Sequence, residues 1–207
     1  MKESKLHTAL TWIIDIVFSG LLWCLCSLPV VTVGAASTAL YYAVVKCIRH
    51  ERGQLGRTFW KGFRANFRVS TGIWLLYLAC MALGAMNVLA ARQMGAEGFS
   101  PLTAAAGAIA LPILLTLPWS FAYVSRFENS VGGSLRFIAF LAMKNIGRSL
   151  LLAAELLASL AIAWLIPQIA PLLPGVFALL MSLSIEPVFR PYTAEADNEG
   201  RDAWYNE

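Results

Sequence analysis

Three carboxylates sit where carboxylates are costly. Asp15, Glu155 and Glu186 lie inside, or at the ends of, long apolar stretches. A charged group at the centre of a membrane helix costs roughly 2.5–3.5 kcal/mol on insertion scales, so such groups turn toward a protein interior, a polar cavity or a basic partner. Arg126, Lys46 and Arg49 fall near the same ends of neighbouring apolar stretches. Two readings follow from these residue types. In one, the acids pair with the bases and pin helices together. In the other, Asp15 and Glu155 line a polar cavity for a solute or a proton, with Asn87 and Gln168 extending it toward the far side. Asp15 and Glu155 also have the chemistry of an acid and a base for hydrolysis or transfer. No HExxH, GxSxG or Walker sequence accompanies them, and His7 and His50 are isolated. No catalytic, cofactor-binding or metal-ligating residue is therefore assigned, and the chain is not expected to be an enzyme. Cys24, Cys26, Cys47 and Cys80 have neither zinc nor redox spacing and read as buried free thiols.

The elements that must hold these side chains are membrane helices. Of the 207 residues, 58% are hydrophobic and 14% charged, and the mean hydropathy is +0.66. Residues 69–91, 98–123 and 156–185 carry no charge at all. About 20 apolar residues make a helix long enough for a hydrocarbon core of roughly 30 Å. The runs are continuous rather than alternating, which excludes the pattern of a transmembrane barrel. The expected fold is all-α: a polytopic transmembrane helical bundle with 5–6 membrane helices, forming one domain over residues 1–192, with a mobile polar C-terminal tail at 193–207.

The first apolar region, 9–45, is too long for one crossing. Proline and glycine at Pro29 and Gly34 supply a break. The spans expected are 9–28, a short 35–49, 70–91, 101–125, 147–167 and 171–189. Pro101 and Pro171 suit helix starts, and Pro112, Pro118 and Pro174 should kink or locally unwind their helices. Lys2 and Lys5 ahead of an apolar run, with Val33, Gly34 and Ala35 beyond it, resemble a signal peptide. The run is too long for that and Asp15 interrupts it, so an uncleaved anchor is expected. If 9–45 is a hairpin there are six crossings, otherwise five.

Basic loops stay cytoplasmic. Segment 46–68 holds seven bases against Glu51, and 126–148 holds Arg126, Arg136, Lys144 and Arg148 against Glu128. Both are placed inside, together with the C-terminus, and 92–100 outside. The formal charge of +4 follows from this topology, and nucleic-acid binding is not expected.

Segment 53–69, GQLGRTFWKGFRANFRV, is more than a loop. Leu55, Phe59, Phe63 and Phe67 recur every four residues as one helical stripe, widened by Trp60. Arg57, Lys61, Arg64 and Arg68 form a second stripe. This is the pattern of a cytoplasmic interfacial amphipathic helix, aromatic face down and basic face toward lipid phosphates. It anchors the bundle to the bilayer or docks a soluble or membrane partner.

The run 26–42, CSLPVVTVGAASTALYY, resembles the signature of the YesL family (DUF624) of bacterial integral membrane proteins. FWKGFRANF at 59–67, YVSRFEN at 123–129, KNIGR at 144–148, LPGVF at 173–177 and PVFR at 187–190 resemble it too, in order and spacing. The resemblance spans roughly residues 10–192 and implies a bacterial cytoplasmic membrane. It also implies an association with carbohydrate uptake, since such proteins are often encoded near sugar ABC importers, glycoside hydrolases and two-component regulators. It carries over no catalytic or ligand residue. The function expected is an accessory component of ABC-type carbohydrate uptake or of its regulation, with sugar-transporter subunits as partners alongside the lipid bilayer. The alternative is a stand-alone small-solute binding or transport protein with a polar cavity near Asp15 and Glu155. Oligomeric state stays open.

Overall fold

The computed structural model describes residues 2–50, 53–95 and 100–197, with side chains described from Thr11 to Tyr192 within those ranges. Glu51, Arg52, part of the expected outer loop and most of the polar tail lie outside the described residues. Every regular element described is helical: α1 (Lys2–Cys26), α2 (Val33–Ala43), α3 (Leu55–Gln93), α4 (Pro101–Val124), α5 (Val131–Lys144), α6 (Ile146–Leu165) and α7 (Leu173–Asp197). Short 3₁₀ turns at Val30–Thr32 and Pro167–Ile169 precede α2 and α7. Helices satisfy every backbone group within one segment, which lipid demands. By length and composition, five helices suffice to cross a membrane: Val30–Arg49, Leu55–Gln93, Pro101–Val124, Ile146–Leu165 and Leu173–Tyr192. Thr11–Cys26 is apolar but shorter. The molecule is a multi-pass helical bundle.

The first apolar region folds as two helices. α1 stops before Ser27, Leu28 and Pro29, and the hydroxyl of Thr32 donates to the carbonyls of Cys26 (2.6 Å) and Pro29 (2.8 Å). The Cys26 carbonyl is orphaned at the helix end, and the hydroxyl satisfies it. The Trp23 indole donates to the Ser37 hydroxyl at 2.9 Å, tying α1 to α2 across the break.

α2 is the central element. Nine of its eleven residues are buried, many of them Gly, Ala or Thr. Small residues let helix backbones approach closely where lipid supplies no hydrophobic drive. α2 and α3 run against each other over most of α2. Tyr42 packs at Gly62, Ser70 donates to Thr38 at 2.9 Å, and Gly34 sits under Trp74. α2 then loosens into a π-helical turn, Val44–Arg49, closed by a bond from His50 N–H to the Val45 carbonyl at 3.2 Å. Such turns are rare and are often found at functional positions.

Four features differ from the sequence expectation. First, 53–69 is not a separate helix. α3 runs unbroken for 39 residues, about 58 Å at 1.5 Å per residue, because α2 packs along both sides of the expected junction. Second, its aromatic stripe is split between core and surface, with Trp60 and Phe67 exposed. Leu55 and Phe59 join Leu40, Val44 and Ile48 in a buried cluster, with Phe59 at 0% exposure. Third, 126–148 contains α5, begun by the Ser130 hydroxyl accepting from Gly133 N–H at 3.2 Å. Fourth, the prolines are quieter than expected. α4 stays helical through Pro112 and Pro118, Pro174 occupies the first turn of α7, and Pro171 lies before that helix begins. A proline in the first turn has no hydrogen bond to lose. At the start of α4, Ser100 and Thr103 form a reciprocal capping box with Pro101 between them.

The α2–α3 contact sets a test. A Cβ on Gly34 would lie 2.5 Å from Trp74 Cβ and 2.7 Å from the Ser70 carbonyl oxygen. Gly34→Ala should cost about 1–3 kcal/mol as overpacking, seen as a lower thermal midpoint in detergent. Gly107, with nothing within 4 Å of the same position, is the control: Gly107→Ala should be neutral or stabilising by up to about 1 kcal/mol. Equal curves for the two variants would contradict the close approach of α2 to α3.

Candidate functional site

Of the three acids, Glu186 is the one the fold encloses. It lies on α7 and is buried, with 11% of its side chain exposed. One oxygen, Oε1, accepts from the Tyr41 hydroxyl of α2 at 2.8 Å. The other, Oε2, is paired with the guanidinium of Arg126, just past α4, whose side chain is 5% exposed. The same guanidinium lies over the Phe189 ring, 5.7 Å from its centroid. One turn earlier on α7, the Ser182 carbonyl accepts from Arg49 at 2.8 Å. A single acid thus joins α2, α4 and α7, and the π-helical turn delivers Arg49 to the same helix. Lys46, also buried, sits over the Tyr42 ring at 5.6 Å.

Hydroxyl and indole contacts extend this frame. The Tyr77 hydroxyl is 2.8 Å from that of Ser120 and donates to Thr116 at 3.1 Å, joining α3 to α4. The Trp119 indole donates to Ser149 at 2.9 Å, and Ser149 in turn donates to the Ala142 carbonyl at 2.9 Å, joining α4, α6 and α5.

The structure does not gather all the residues singled out from sequence. Arg126 and Glu186 meet. Asp15, half-buried on α1, lies toward Cys47 in the π-helical turn. Glu155, half-buried on α6, places Oε2 out of solvent with no hydrogen-bond partner. α1 packs on α7, α2 and α3, and α6 packs on α7, α4 and α5. Tyr41 and Ser182 escaped the sequence reading. The signal available for Tyr41 was a phenol amid the small residues of 33–43, where a hydroxyl needs a partner. The four cysteines are free and partly buried. Among the described residues no cluster of His, Cys, Asp and Glu is grouped to hold a metal ion.

The second candidate surface is the start of α3. Trp60 is 45% exposed and Phe67 36%, while Arg57, Lys61, Arg64 and Arg68 are all exposed. Phe59, Phe63 and Phe67 form a ladder of rings, with centroids 6.4 and 5.5 Å apart, running from the core to the surface. Phe59 and Phe63 therefore support this surface from below, and Trp60 and Phe67 present it. Like charges at i,i+4 and i,i+3 oppose helix formation by a few tenths of a kcal/mol each, and burial of Leu55 and Phe59 offsets this.

Fold and site together define a multi-pass helical membrane protein whose interior charges are joined across helices. Residues 16–88, roughly a third of the chain, match the family described as "Protein of unknown function, DUF624". The match covers the break, α2 and nearly all of α3, and it supports the DUF624 part of the resemblance. The resembling segments from 123 onward lie outside it. No curated protein and no solved structure matches the chain.

The buried pair has measurable consequences. Arg126→Met leaves Glu186 in the interior without its cation and should cost about 3–5 kcal/mol. Tyr41→Phe removes one hydrogen bond to a charged group, about 1.5–3 kcal/mol. The double variant Arg126→Met with Glu186→Met should recover much of the single loss. Equilibrium unfolding in detergent reads these together with the single Glu186→Met, and a double loss equal to the sum of the two single losses would show that Arg126 and Glu186 are not coupled.

Proposed function

We propose that this chain is an accessory component of a membrane assembly serving carbohydrate uptake or its regulation. The observation that carries the accessory role is the disposition of its polar groups. Both oxygens of Glu186 are engaged inside the bundle, whereas the first turns of α3 leave Arg57, Lys61, Arg64 and Arg68 exposed beside Trp60 and Phe67. A partner at the membrane boundary is offered Trp60, Phe67 and the basic stripe. The carbohydrate context comes from the resemblance alone, as does the bacterial cytoplasmic membrane. In this reading 46–68 and 126–148 face the cytoplasm, and the energy for transport is supplied by another chain.

A second reading is favoured by one specific observation, the buried unpartnered oxygen of Glu155. In it, the chain binds a small solute itself, using Glu155 on α6 rather than Glu155 together with Asp15.

Purification of the tagged protein from its native membranes in mild detergent, followed by mass spectrometry, separates the two. Stoichiometric recovery of sugar-importer permease or ATPase subunits is expected. Trp60→Ser with Phe67→Ser should release them without altering the melting curve. Phe59→Ser should instead cost about 3–5 kcal/mol, as loss of a large core side chain does. Recovery of the chain alone, with a carbohydrate-induced thermal shift lost in Glu155→Gln, would overturn the accessory role in favour of solute binding.

A further inference from the structure

The geometry points to a binding site for an anionic phospholipid at the start of α3. A groove of about 460 Å³ is lined by Gly56, Arg57, Trp60, Lys61 and Arg64. Arg57, Lys61 and Arg64 are spaced by four and three residues, so they stand on one helical face. Arg57 and Arg64 are about 10 Å apart along the axis. Among the described residues the lining contains three basic side chains and no acid, and the charge of Arg57 and Arg64 complements a phosphodiester.

Two features make the complement a lipid. Trp60, 45% exposed, puts an indole beside the cations, the side chain that settles at headgroup level with its ring in the apolar boundary. Gly56 forms the floor, and a Cβ there would come within 3.7 Å of the Phe18 ring of α1. Phe18 belongs to an exposed apolar row on α1 with Ile14 and Leu21. A basic groove therefore opens directly onto an apolar helix face. A diacyl phospholipid has that same order of chemistry, with its phosphate in the groove and an acyl chain along Ile14, Phe18 and Leu21. This site does not depend on the accessory role, because the groove and the row belong to this chain alone.

The test uses the full chain reconstituted in phosphatidylcholine nanodiscs containing a minority of phosphatidylglycerol. Acyl-chain bromines are placed on one lipid or the other. The difference between wild type and Trp60→Phe isolates the fluorescence of Trp60. Brominated phosphatidylglycerol should quench this component beyond its share of the lipid, and more than brominated phosphatidylcholine does. Arg57→Gln and Arg64→Gln, both at exposed positions, should each lower that preference roughly fivefold, the effect of about 1 kcal/mol per basic residue near a charged surface. Raised ionic strength should weaken the preference by screening, a readout that needs neither arginine variant. Equal quenching by the two lipids, or a preference indifferent to salt, would overturn the assignment. Equal quenching together with loss of a co-purifying protein in the same arginine variants would assign the groove to that protein instead.

Discussion

A carboxylate removed from water has to be answered from within the protein, and Glu186 draws its answers from two other helices. Its hydrogen bond to Tyr41 spans 145 residues of sequence and its ion pair with Arg126 spans 60. Removing one member of such a pair strands a charge, so the arrangement of α2, α4 and α7 that pairs them is favoured over any that separates them. In lipid that matters more than in water, because apolar side chains gain little by leaving lipid for one another. The hydroxyl and indole bonds of Tyr77 and Trp119 repeat the device for α3, α5 and α6.

Around that frame, α2 does what a short helix of small residues can do. It is thin enough for α3 to lie against it from Trp74 back to Leu55. The consequence reaches the surface. With Leu55 and Phe59 drawn into the core by α2, Trp60 and Phe67 are the rings left outside, and the basic stripe turns outward beside them. The groove at Gly56 is thus a by-product of core packing. It lies within the segment that matches DUF624, whereas Arg126 and Glu186 lie outside that match.

Much of this was legible in the residues. The uncharged runs define membrane helices because hydropathy is a local sum. The break between Cys26 and Val30 is written in Pro29, and the capped start of α4 in Ser100 and Pro101. α5 had a legible pattern as well, Leu135, Ile138 and Leu141 at helical spacing behind Ser130. Its basic residues and paired glycines made it read as a loop.

What the sequence determined by itself, then, is class and position along the chain: an all-helical membrane bundle, where its first apolar region breaks, and that its interior acids need partners. Tertiary structure alone decided which acid is paired with Arg126 and that Leu55 and Phe59, at the start of the α3 stripe, face α2. The physical reason is range. Helix periodicity and hydropathy are set by neighbours within a few residues. The partner of Glu186 and the face that α3 turns inward depend on which helices meet, and residues far apart in the chain specify that jointly.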